Sequence, residues 1–126
     1  GYKSNEYILE HMNEYDLFVY PSIFEETFCV SALEALAAGV HVITTNFGAI
    51  PETCAEWPVY VNYSRNYELL AASTAQAIET AIAYLHTDTI QNHLENQQKF
   101  YKNFYSWDKK GQEWTNFLKG ALNVKK

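Results

Sequence analysis

The stretch Asp16-Leu17-Phe18-Val19-Tyr20-Pro21-Ser22-Ile23-Phe24-Glu25-Glu26-Thr27-Phe28-Cys29-Val30-Ser31-Ala32-Leu33-Glu34-Ala35-Leu36-Ala37-Ala38-Gly39 changes its pattern twice. Residues 16 to 20 are apolar, β-branched or aromatic after the aspartate, and read as a buried strand. Pro21 and Ser22 break that strand, and a loop carries Glu25 and Glu26. A helix over 27 to 38 then stops at Gly39, a residue that takes the left-handed backbone of a helix end. Strand, short loop and helix in this order place ligands at the carboxyl end of a parallel sheet.

Within that helix one residue departs from the pattern. At 100° per residue, Val30, Leu33 and Ala37 share a stripe at about 0°, 300° and 340°, and Glu34 falls within it at about 40°. A carboxylate facing a core is costly unless it is paired or takes up a proton. A ligand with paired hydroxyls would satisfy Glu34, and so would a neighbouring backbone that it caps or braces.

Composition sets the limits. The 126 residues make one domain, 1 to 126, with a real core but not two. The chain is 48% hydrophobic and 16% aromatic, a globular composition. Its net charge of -6 argues against nucleic acid as a partner, since no basic stripe is present to neutralise phosphates. The cations gather late, at Lys99, Lys102, Lys109, Lys110, Lys119, Lys125 and Lys126, and with Glu95 and Glu113 they read as a solvated helix surface. Cys29 and Cys54 have no zinc-ligand spacing with histidine, and two cysteines are no disulfide framework. A reduced, cytoplasmic protein is expected, without a signal peptide or a transmembrane segment. Residue 1 is Gly rather than Met, so the start reads as a cloning scar or a truncation.

Residues 5 to 15 read as a helix capped by Ser4, with Ile8, Met12 and Tyr15 on its buried face and His11 at the surface. His41 to Thr45 is a second buried strand, followed by a loop in which Gly48 permits tight backbone geometry. Pro51 opens a short helix through Glu56, and 59 to 63 is a third strand. Three helices complete the chain. One runs from Tyr67 to His86 with Leu70, Ala77, Ile78, Ala81 and Leu85 on one side. Another, capped by Asp88, reaches Phe104 with Ile90, Leu94 and Gln97 at helical intervals. The last, over 106 to 126, carries Trp114, Phe117, Leu118 and Ala121 on its apolar side. This alternation predicts an α/β fold with a parallel sheet of about three strands, flanked by helices and ending in a helical C-terminus.

These residues resemble the "glycosyltransferase group 1" family of retaining transferases with the GT-B fold. Glu26 and Glu34 match its Glu-x7-Glu motif, preceded by Pro21-Ser22 and closed by Ala38-Gly39. The segments Gly39 to Asn46 and Gly48-Ala49-Ile50-Pro51-Glu52 look like the family's next strand and glycine loop, and Ser106-Trp107 … Trp114 is similar to its closing helix. The likeness covers 16 to about 118. It implies a Rossmann-like half-domain that binds a nucleotide-sugar, such as a UDP- or GDP-sugar, for transfer to an unknown acceptor. By this resemblance Glu34 holds the ribose hydroxyls, and Glu26 is the catalytic-site carboxylate that contacts the transferred sugar. Thr27 and the backbone amides of Phe28, Cys29 and Val30 complete the donor site, where free N–H groups and the helix dipole favour a diphosphate. No cofactor and no metal are implied.

Two departures stand out. The family's Gly-Phe-Gly is Thr27-Phe28-Cys29 here, and a side chain at Cys29 narrows the approach of a ligand. The acceptor domain and the basic residues of the early donor domain are absent from the sequence, with Arg65 the one arginine. The chain by itself is therefore expected to be inactive. The alternative is a non-catalytic Rossmann-like binding or assembly module, whose open strand 16 to 20 and helix faces would make a homo-oligomer. A generic dinucleotide-binding half-domain ranks behind both, lacking the glycine fingerprint.

Overall fold

The computed structural model describes residues 1–123, so Lys125, Lys126 and the end of the expected helix to 126 lie outside the described residues. Three parallel strands, β1 (Leu17–Tyr20), β2 (His41–Thr45) and β3 (Val59–Val61), form a sheet in the order β1-β2-β3. Leu17 lies opposite His41 and Ile43 opposite Val59. Every residue of the central β2 is buried, whereas β1 is a half-exposed edge with Val19 open to solvent. The expected burial of strand 16 to 20 is corrected for that reason: no described strand covers its outer side.

β2 divides the core into two layers, because successive strand residues point to opposite faces. Val42 joins Met12, Cys29, Ala32, Ala35, Leu36, Ile50 and Tyr101 on one side. Ile43 joins Val61, Leu70 and Ala81 on the other. Helices α2 (Val30–Ala38), α3 (Ile50–Cys54) and α5 (Asp88–Phe104) supply the first layer, and α4 (Tyr67–Tyr84) supplies the second. Helices on both faces of a parallel sheet make this a Rossmann-like half-domain.

α1 (Asn5–His11) starts as expected, with the Ser4 hydroxyl accepting the Tyr7 N–H, but ends in a 3₁₀ turn over Met12–Glu14. Of its expected buried face only Met12 is buried, while Ile8 and Tyr15 are exposed. β3 ends at Val61 and α4 at Tyr84, two residues short of each expected boundary. α5 is capped by Thr87 rather than Asp88, through its hydroxyl and the Ile90 N–H at 3.5 Å. Its Leu94 and Gln97 are buried as the spacing predicts.

Gln97 ties α5 to α2. Its Nε2 donates to the Leu36 carbonyl at 3.1 Å and the Val40 carbonyl at 3.0 Å, at the end of α2. Gly39 between them has φ of 82°. α6 (Trp107–Asn123) keeps the predicted amphipathic pattern, but Trp114, Phe117, Leu118 and Ala121 are exposed rather than packed. Among the described residues Lys99, Lys102, Lys109 and Lys119 are exposed, and the pairs Lys99–Glu95 and Lys110–Glu113 lie at the surface.

Candidate functional site

The loop from Pro21 to Cys29 leaves the carboxyl end of β1 and delivers α2, and two threonines of β2 pin its start. Thr44 Oγ1 donates to the Tyr20 carbonyl at 2.8 Å, and Thr45 Oγ1 donates to the Ser22 carbonyl at 2.7 Å. Both threonines are fully buried. Ser22 closes a tight turn by accepting the Phe24 N–H at 3.2 Å. The Glu26 carbonyl then accepts the Ala49 N–H at 2.8 Å, which joins this loop to the one after β2.

That last bond corrects the start of the helix. The Glu26 carbonyl is used by Ala49 and not by a first helical turn, and Cys29 takes φ of -94° and ψ of 89°. α2 therefore begins at Val30 instead of residue 27. Leu33 N–H bonds the Cys29 carbonyl at 3.2 Å, so the N–H groups of Val30, Ser31 and Ala32 precede the first helical bond. Such groups at a helix start have no partner within the helix and carry its positive dipole end.

The buried face of α2 is also corrected. Ala32, Ala35 and Leu36 are buried, centred on the side opposite the stripe of Val30, Leu33 and Ala37. Val30 is 54% exposed. Alanine and leucine occur all round this helix, so periodicity could not choose between its faces. Glu34 consequently lies half-buried at the rim, not over the core. Burial alone pushes its carboxyl up from the ordinary range, with neither a hydrogen bond nor a charge contributing. It does not cap or brace a backbone among the described residues.

Glu26 is half-buried and held. The Tyr20 hydroxyl donates to Glu26 Oε1 at 2.6 Å. Glu25, Thr27 and Phe28 are exposed, and Cys29 is buried beneath the start of α2. Burial pushes the Cys29 thiol up, and that of Cys54 to about 12, so neither is an activated nucleophile. Both cysteines are free.

Tyr20, Thr44 and Thr45 do not stand out in the sequence, because each reads as an ordinary strand residue. A hydroxyl at the carboxyl end of a parallel strand is the one signal that marks them.

Glu26 and Glu34 line none of the described cavities. The groove of about 510 Å³ lies between β3 and α4, lined by His41, Tyr60, Gln76 and Thr80 among others. Glu26 lies on the loop that leaves the carboxyl end of β1, and Glu34 lies on α2, which that loop delivers. Among the described residues no group of His, Cys, Asp or Glu could hold a metal, and no helix is long and apolar enough to cross a membrane.

The same chain matches known proteins. The model of the "Glycosyl transferases group 1" family matches residues 1–107. The chain belongs to that family. It is 32% identical over 104 residues to a subunit of the human (Homo sapiens) phosphatidylinositol N-acetylglucosaminyltransferase. That match covers 79% of this chain and 20% of the relative, so the chain spans about a fifth of the relative's length. No solved structure matches it.

Proposed function

We propose that the chain is the donor-site portion of a retaining GT-B glycosyltransferase, which moves a sugar from a nucleotide-sugar to an acceptor. The observation that carries this reading is Glu34: a half-buried carboxyl with no partner, one turn beyond the free N–H groups of α2. Paired ribose hydroxyls donating to Glu34 would offset the cost of its burial. The amides of Phe28, Cys29 and Val30 would face the diphosphate, where the helix dipole favours anions, with Thr27 beside them. Glu26, eight residues before Glu34, would contact the hydroxyls of the transferred sugar.

N-acetylglucosamine is the first sugar to try, since the human relative is named for its transfer. The exposed Thr27 and Phe28 beside Glu26 fit a cleft whose other wall comes from an acceptor domain. The reading includes no metal or other cofactor. In the intact enzyme, transfer from UDP-N-acetylglucosamine, UDP-glucose and GDP-mannose tests it against Glu34→Ala and Glu26→Ala. Loss of roughly ten- to a hundred-fold in kcat/KM in each variant is expected, the size of a lost hydrogen bond to a charged group. Full activity in Glu34→Ala refutes the ribose role.

A second reading, a non-catalytic assembly module, is favoured by the open edge at β1 and the exposed Trp114, Phe117 and Leu118 of α6. It requires self-association, which sedimentation at increasing concentration would detect.

A further inference from the structure

We propose that Tyr20 is a positioning residue for Glu26, fixing the carboxylate through its hydroxyl while the Gly48-Ala49 turn fixes the backbone. The inference rests on the donor-site reading of Glu26 and adds a residue outside the Glu-x7-Glu pattern.

The geometry is built from three sides. Tyr20 is the last residue of β1, so its ring leaves the sheet at the end where the loop returns. Thr44 Oγ1 and the Ser22 N–H both reach the Tyr20 carbonyl, each at 2.8 Å, which fixes the Tyr20 backbone. The Phe18 ring stacks on Tyr20 with centroids 6.1 Å apart. From that anchored position the hydroxyl donates to Glu26 Oε1 at 2.6 Å, a short charge-assisted distance. On the other side Ala49 N–H holds the Glu26 carbonyl at 2.8 Å. Glu26 would otherwise sit on a loop with free side-chain rotamers, and ordering it in advance spares that cost when donor binds. The bond occupies Oε1 and leaves Oε2 for a sugar hydroxyl.

The phenol is suited to this task. Its hydrogen bond to Glu26 is the main reason its ionisation is pushed above the ordinary tyrosine range, so it remains a proton donor at neutral pH. Tyr20→Phe deletes that donor and leaves the ring.

The test is a double-mutant cycle in the intact enzyme, with Tyr20→Phe, Glu26→Ala and the pair, using the sugar nucleotide that the wild type turns over. Tyr20→Phe is expected to lower kcat roughly ten-fold or more with the donor KM within about three-fold, and to change nothing further in the Glu26→Ala background. An equal loss in both backgrounds means a merely structural tyrosine and overturns the proposal. Unchanged kcat in Tyr20→Phe, with the expected loss in Glu26→Ala, overturns the positioning role and spares the donor-site reading. Full activity in Glu26→Ala overturns both. A second readout needs no turnover. With ¹³C-labelled tyrosine, the Tyr20 ring signal, identified by its loss in Tyr20→Phe, should titrate above the ordinary tyrosine range and move down in Glu26→Gln. A midpoint that ignores Glu26→Gln contradicts the hydrogen bond itself.

Discussion

Gly48 lies so close to Glu26 that a β-carbon on it would stand 2.7 Å from the Glu26 nitrogen and 2.8 Å from the Glu26 oxygen. The loop after β2 thus packs directly on the backbone of Glu26, the carboxylate proposed to meet the transferred sugar. Gly48 also has φ of 60°, which side chains rarely adopt. Gly48→Ala must push the two loops apart and strain its own backbone, at about 1–3 kcal/mol. We expect a lower denaturant midpoint together with a larger loss of transfer than Glu25→Ala, whose side chain is exposed. Steady-state rates for the two variants check this.

The bond from Gln97 to the end of α2 predicts a stability effect away from the site. Gln97→Leu leaves the buried Val40 carbonyl without its side-chain donor, while the Leu36 carbonyl keeps the Gly39 N–H at 3.2 Å. The expected cost is about 1–3 kcal/mol, read from urea unfolding at constant slope. Gln98→Leu, which removes one bond to the Ala38 carbonyl at a half-buried position, should cost less.

Ala55 has φ of 50° and ψ of -137°, held where the Tyr60 hydroxyl bonds its carbonyl at 2.5 Å. A non-glycine residue there carries strain. Ala55→Gly is expected to stabilise by about 0.5–1 kcal/mol, since relief of strain exceeds the added freedom of the unfolded chain. Thermal unfolding of the variant measures it.

Glu34 gives the pH dependence a definite sign. Burial raises its folded pKa above the unfolded value of about 4.3, so the folded state binds more protons through that window. Its contribution to stability is complete below the unfolded pKa and is lost as pH rises through the folded one. Glu34→Gln removes this penalty, so the variant should gain on the wild type between acid and neutral pH. Parallel stability curves would show that the carboxyl is not desolvated.

How much of this is legible in the sequence differs by element. His41 to Thr45 is read with its observed bounds because this buried strand is apolar or hydroxyl-bearing from Val42 onward. α5 and its buried Gln97 follow from helical spacing in a sequence of strong polar contrast. α2 lacks that contrast: its alanines are compatible with either face, and the buried side comes from packing against α5. The site behaves likewise. Glu26 and Glu34 stand out as carboxylates, but the start of α2 is set by a tertiary bond from Ala49, and Tyr20 reaches Glu26 by geometry that no local pattern encodes.

The central claim is that Glu34 holds the ribose of a nucleotide-sugar. Saturation-transfer difference NMR of UDP-N-acetylglucosamine with the intact enzyme tests it most directly. The expected result is strong transfer to the ribose H2′ and H3′ protons in the wild type and its loss in Glu34→Ala. Equal ribose transfer in both proteins would contradict it.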